Sequence, residues 1–391
     1  MTFRLTHFLS AFCLLFFGWV GYKSFLYFSH NTLPEVSIVG LKEGGHYKGV
    51  THSSLTAQND YKIDSVNLFL DGKLVEIEGA SNVRSAQFTL PFEVDTTALS
   101  DGSHELELHA IDSSYHRNRK SSKYVFNVDN KELKGALLSS NYKVFQGKTL
   151  HVKLQLNKTI KNARVKLLSQ FYDCHQEDID SSLYECFIPV GCEERPNEYA
   201  VLVDAKDCVG NELKLTGAVT IASFDFPKQR GFSVSAEKLD EEKEVSMNNK
   251  ILEVALEKWL KDSPKQKMWH SEFDVPTVVQ RYSTPYGEVR TTPERGKYFH
   301  RAVDIANYPR KVVWASQNAK VIIKDRYLHS GNTVVLDHGC GVFTLYYHLD
   351  SFADVEVGDV VKKGNPIGRI GMTGYSNGYH LHWELRIGGV A

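Results

Sequence analysis

His380-Leu381-His382-Trp383-Glu384-Leu385, close to the end of the chain, alternates imidazole and carboxylate with apolar side chains. A period of two is that of a β-strand, so His380, His382 and Glu384 leave one face of a sheet while Leu381, Trp383 and Leu385 leave the other. Working outward, residues 342–348 show the same phase: Val342, Thr344, Tyr346 and His348 share a face, with Phe343, Leu345 and Tyr347 opposite. Strict alternation predicts that His348 projects into the cleft of the histidine pair. Further upstream, His300-Arg301-Ala302-Val303-Asp304 adds an imidazole and a carboxylate. Neutral imidazole and carboxylate are the ligands of zinc, and a catalytic zinc takes three protein ligands and keeps one position open for water. The five groups His300, Asp304, His348, His380 and His382 exceed that number by two. No His-Glu-x-x-His helix supplies a glutamate base, so imidazoles outside the ligand set are the candidates for taking a proton and hydrogen-bonding an oxyanion. Glu384 reads as a supporting or surface group. His329 and His338 read as ordinary strand and turn histidines, the latter in the turn Asp337-His338-Gly339-Cys340-Gly341 between strands 333–337 and 342–348.

In this order and spacing the motifs resemble the zinc endopeptidases of the lysostaphin and LytM type, which cut the peptide bridges of bacterial peptidoglycan. The resemblance covers roughly residues 271 to 391. His300 and Asp304 match the family's His-x-x-x-Asp, Tyr346-Tyr347-His348-Leu349 its Tyr-x-His-Leu, and His380-Leu381-His382 its His-Leu-His. Tyr286-Gly287-Glu288-Val289-Arg290 and Gly371-Met372-Thr373-Gly374-Tyr375-Ser376-Asn377-Gly378 fit as supporting segments. The resemblance implies that Zn2+ is bound by His300, Asp304 and His382, and that His348 and His380 are the catalytic imidazoles acting on a peptidoglycan peptide. Only Trp383 to Ala391 follow the histidine pair, shorter than is usual in relatives, as in a truncated chain. A catalytically idle scaffold or an activator of a cell-wall amidase is the alternative, although such relatives have typically lost ligands and none is missing here. The run 355–368 also looks like a hairpin of a lipoyl-type barrel but lacks a modification tip, and it reads as strand-turn-strand scaffold.

The other end of the chain bears on location. Arg4 precedes Phe8 to Tyr22, which carry no charge, and apolar character resumes after Lys23 at Phe25-Leu26-Tyr27-Phe28. With Lys23 included the stretch reaches the roughly 20 residues of a spanning helix. No small-x-small cleavage site follows, so an uncleaved signal anchor over residues 1–33 is expected, with Arg4 in the cytoplasm and the rest exported to the periplasm or cell-wall side; a cleaved signal peptide is the alternative. A formal net charge of -1 in 391 residues gives no case for nucleic acid. Cys174, Cys186, Cys192 and Cys208 fall close together, which in an exported segment favours two disulfides.

Between anchor and site the pattern is all β. Val66–Leu70, Asp71-Gly72 and Lys73–Ile77 spell a hairpin with a type I′ turn, and Glu105–Asp112 alternates again. Residues 34–130 resemble bacterial Ig-like modules in their Asp-Gly-x-His and Ala-x-Asp signatures. Residues 131–228 repeat the theme as a second, cysteine-rich Ig-like sandwich, with Leu150–Leu156 alternating. A linker, 229–266, holds the charged stretch Glu237 to Glu244 and a helix starting near Asn248-Asn249, with Leu252, Ala255, Leu256, Trp259 and Leu260 on one stripe and Pro264 closing it. The expected architecture is mainly β: anchor, two sandwich modules, helical linker, and an antiparallel LytM-like sheet over 267–391. Oligomeric state is left open by the sequence.

Overall fold

The computed structural model describes residues 2–178, 181–229, 250–292 and 296–391. The charged stretch Glu237 to Glu244 and the expected helix start at Asn248-Asn249 lie outside them. Among the described residues, strands dominate, joined by an N-terminal helix, a helix over 250–262 and one short 3-10 turn. The chain folds as two units, residues 1–132 with 208–211, and residues 133–207 with 212–391.

In the first unit, helix Thr2–Ser29 is long and apolar enough to cross a membrane over Phe12–Ser29. Its end is tied down: the amide of Tyr115 donates to the Tyr27 carbonyl at 3.0 Å, and Asn118 Nδ2 donates to the His30 carbonyl at 3.1 Å. The 21-residue strand Val50–Leu70 changes partners along its length. Residues 50–58 pair with Ser81–Asp95 and with Glu35–Val39, and residues 63–70 with Gly102–Asp112. Inward positions from both halves, including Leu55, Ala57, Val66 and Leu68, meet in one core with Leu106, Leu108 and Phe126. The expected turn is present, with Asp71 (φ 48) and Gly72 (φ 76) both left-handed as a type I′ turn requires.

The second unit opens with a four-stranded and a five-stranded sheet whose inward residues, Val152, Leu154 and Ile188 from one and Val165, Val201, Val203 and Val219 from the other, share a core. The expected two disulfides are not formed in the structure: Cys174, Cys186 and Cys192 are thiols. Sequence proximity does not by itself set partners. Antiparallel pairing of His175 with Glu185 and Gln176 with Tyr184, carried one residue on, faces Cys174 with Cys186. Cys192 is instead buried against the Tyr286 hydroxyl, 3.7 Å away.

The C-terminal part is a nine-stranded sheet in which every pairing is antiparallel. Its central strands run in the order Arg281–Thr284, Val303–Ala306, His380–Ile387, Val342–Phe352, Gly331–Asp337, Ala319–Tyr327. One face buries Tyr346, Leu381, Ile305 and Val334 in the main core. On the opposite face Phe343, Leu345 and Tyr347 are covered by Leu252 and Leu256 of helix 250–262, so the apolar stripe of that helix is a packing face on this sheet.

Candidate metal centre

Cross-strand register assembles the site. Asp304 is paired with His382, His382 with Tyr347, and Ala306 with His380, so residues from three neighbouring strands stand side by side on one face. His300 enters from the segment before this row, its backbone held to residues 287–288: Gly287 N donates to the His300 carbonyl at 2.7 Å and His300 N to the Glu288 carbonyl at 2.9 Å. One ligand atom from each of His300, Asp304 and His382 lies within 4.8 Å of the others. His300 Nε2 is 3.3 Å from Asp304 Oδ2, and His382 Nδ1 is 2.9 Å from Asp304 Oδ1.

His348 reaches this face by a route that alternation does not describe. Its pairing neighbours place Tyr347, not Tyr346, beside His382, and Tyr346 is fully buried in the opposite core. His348 nonetheless stands 4.8 Å from the His380 ring and 6.1 Å from the His382 ring, centre to centre. A register shift occurs here, and His348 itself has a left-handed backbone (φ 60), which turns its side chain to the metal face. The segment 371–378 makes this possible. Thr373 accepts from His348 Nδ1 at 2.8 Å through its carbonyl, and its hydroxyl donates to the Leu349 carbonyl at 2.8 Å. Gly374 and Gly331, at φ 72 and 63, approach so closely that a Cβ on either would collide with the other segment.

Backbone carbonyls only accept, so His348 Nδ1 must carry the hydrogen it shares with Thr373. The same holds for His380 Nδ1, 2.9 Å from the Gly378 carbonyl. Both rings therefore present Nε2 to the centre, and His380 Nε2 is 3.9 Å from Asp304 Oδ1.

Electrostatics separate the groups. Burial would raise the Asp304 carboxyl, but hydrogen bonds from His300 and His382 outweigh it and hold the group far below the ordinary carboxylate range. Burial would likewise depress His382, yet the carboxylates of Asp304 and Glu384 push it up to about 9. In the metal-free protein it is protonated at neutral pH, carrying a proton that a metal would replace. His348 goes the other way, pushed down to about 3 by burial and by the neighbouring imidazoles His382 and His380. Two imidazoles and one carboxylate converging on one point suit zinc or a similar borderline ion.

Three further residues support the site: Glu384 was expected as a supporting or surface group, while the roles of Tyr347 and Arg386 were not expected from the sequence. The Tyr347 ring lies parallel to the His382 ring, 5.0 Å away. Glu384 is buried and 3.9 Å from His382 Nε2. Arg386 donates through Nε to Glu384 at 2.6 Å. Arg386 continues the period of two that carries His380, His382 and Glu384, and that periodicity is the signal that could have found it.

A His/Asp/His cluster flanked by two further imidazoles on an antiparallel sheet gives this part of the chain a site that could hold a metal ion. Residues 298–391 match Peptidase family M23. The chain is 39% identical over 115 residues to the DD-carboxypeptidase/endopeptidase Mpg of Neisseria meningitidis serogroup B, covering 29% of this chain and 26% of that protein. It is 29% identical over 118 residues to the peptidoglycan DD-endopeptidase ShyB of Vibrio cholerae, covering 30% and 28% respectively. Among solved structures, a putative peptidase M23 from Pseudomonas aeruginosa aligns over 63% of this chain and 91% of that one, with 20% identity and a TM-score of 0.43. The chain thus spans about a quarter of the length of the curated relatives it matches.

Proposed function

We propose that residues 267–391 form a zinc metalloendopeptidase that hydrolyses peptide cross-links of bacterial peptidoglycan. In this reading His300, Asp304 and His382 are the ligands and His348 and His380 the catalytic imidazoles. The observation that carries the proposal is the convergence of three donor atoms within 4.8 Å beside two imidazoles whose Nε2 atoms face the same point. The names of the Neisseria and Vibrio relatives supply the substrate class.

A zinc ion held by His300, Asp304 and His382 would lower the pKa of a water toward about 7 and would polarise the scissile carbonyl. The protein's own contribution is placement. His348, kept neutral by burial, accepts a hydrogen bond through Nε2 and orients the attacking water. His380, less deeply buried, takes the proton and returns it to the leaving amine. Between those two transfers the protonated His380 hydrogen-bonds the oxyanion.

The same reading places the catalytic part outside the cytoplasmic membrane, behind an uncleaved anchor in residues 1–33, with Ig-like modules at 34–130 and 131–228 as spacer or wall-binding stalk. The full chain, freed of metal, reloaded with one equivalent of zinc and incubated with isolated cell walls, should release new amino groups, and a chelator should stop the release. Walls left intact by fully loaded protein would instead fit an idle scaffold.

A further inference from the structure

Arg386 sits on the metal face of its strand without being solvated. Its Nε donates to Glu384 Oε1 at 2.6 Å, and its two terminal nitrogens donate to Glu253 at 2.6 and 3.0 Å, a bidentate pair. Glu253 belongs to helix 250–262, which lies outside the segment that matches the peptidase family. The helix reaches His382 by a second route as well, because Leu252 and Leu256 share a buried cluster with Tyr347, the residue stacked on the His382 ring.

An imidazole that gives Nδ1 to a metal carries its hydrogen on Nε2 and needs an acceptor there to fix its orientation. Asp304 occupies one edge of the ring, and on the other stands Glu384 Oε2, 3.9 Å from His382 Nε2, an ion-pair distance that closes to a hydrogen bond with a small movement. A carboxylate as buried as Glu384 stays charged only with a compensating partner, which is Arg386. With Arg386 alone the pair would be neutral; Glu253 restores one net negative charge behind His382 and fixes the guanidinium plane.

We propose that helix 250–262 is a working part of the metal centre: Glu253, through Arg386, holds Glu384 against His382, so that docking of the helix and affinity for the metal are one coupled equilibrium. Glu253, Arg386 and Glu384 are positioning residues in this scheme, and Tyr347 supports the same ring from its face. The proposal rests on His382 being a ligand, and its test separates the two claims.

Full-length variants Glu253→Gln, Arg386→Lys and Glu384→Gln, with His382→Ala as reference, are titrated with zinc against a chromophoric chelator, and their cobalt-substituted forms are examined by visible absorption. Glu253→Gln should weaken zinc binding about 10-fold and Glu384→Gln by about 10- to 100-fold, both with shifted cobalt bands. Arg386→Lys, which keeps the charge and loses the fork, should fall between them. The double variant Glu253→Gln/Glu384→Gln should lose no more than Glu384→Gln alone, because both act through one contact. Glu257→Gln, an exposed change on the same helix, should leave affinity unchanged. Glu253→Gln binding zinc as tightly as the parent with an unchanged cobalt spectrum would overturn the coupling. If His382→Ala also kept its zinc, the ligand assignment would fall first.

Discussion

Replacing His300, Asp304 or His382 with alanine takes away one of three donors, and two donors hold zinc poorly, so metal content and hydrolysis should fall together in each variant. His348→Ala and His380→Ala leave the donors in place. Zinc should stay near one per chain while turnover drops by roughly 100-fold or more, the usual effect of losing an acid-base or oxyanion group. Metal analysis alongside wall digestion distinguishes the classes, and a His380→Ala variant that lost zinc while His382→Ala kept it would reverse their roles. His338 provides a contrasting residue. It is fully buried, bonded to the Asn318 carbonyl and the Thr344 hydroxyl, and pushed down to about 4 by burial. A histidine whose folded pKa is depressed binds its proton more readily when unfolded, so the stability it confers is complete above pH 6.5 and is lost as pH falls from there to about 4. The loss from His338 is on the order of 3 kcal/mol. Urea midpoints of the metal-free protein should decline across that window, and a flat profile would show that His338 is accessible to protons in the folded state.

At the scale of elements, the metal strand was legible because imidazole and apolar residues alternate along it without a break. Alternation was a poorer guide one strand away, since a left-handed residue at His348 puts His348 on the face of Tyr347 and Leu349 on that of Tyr346, and one sequence does not reveal where such a shift falls. The tie from Arg386 to Glu253 was illegible for another reason: it spans 133 residues and depends on where a helix docks. The cysteines follow the same logic. Strand register faces Cys174 with Cys186, a cross-strand geometry that a disulfide can span, whereas Cys192 is packed against Tyr286. Protein recovered from an oxidising compartment is expected to carry a Cys174–Cys186 bridge, with Cys192 alkylated only after unfolding. Mass spectrometry of differentially alkylated peptides would show this, and an unbridged, freely alkylated Cys174 would count against it.

For the whole molecule, topology is the decisive question. The end of the N-terminal helix is bonded into the first unit through Tyr27 and His30. A reporter joined after residue 35 should be active outside the cytoplasm, and the full chain should stay with membranes through a high-salt wash; a shortened, soluble product would establish cleavage instead.

The carbonyls of Thr373 and Gly378 have one more consequence, and it is spectroscopic. In water a neutral histidine prefers to carry its hydrogen on Nε2, yet both imidazoles beside the metal ligands are held in the opposite form by one short loop. Nitrogen-15 shifts of the resting protein should therefore report His348 and His380 as δ-tautomers, alongside the buried His338, whose Nδ1 faces the Asn318 carbonyl. Loosening the loop, for instance at Gly374, should erase that signature along with activity, so the readiness of the site can be read from the ground state without substrate.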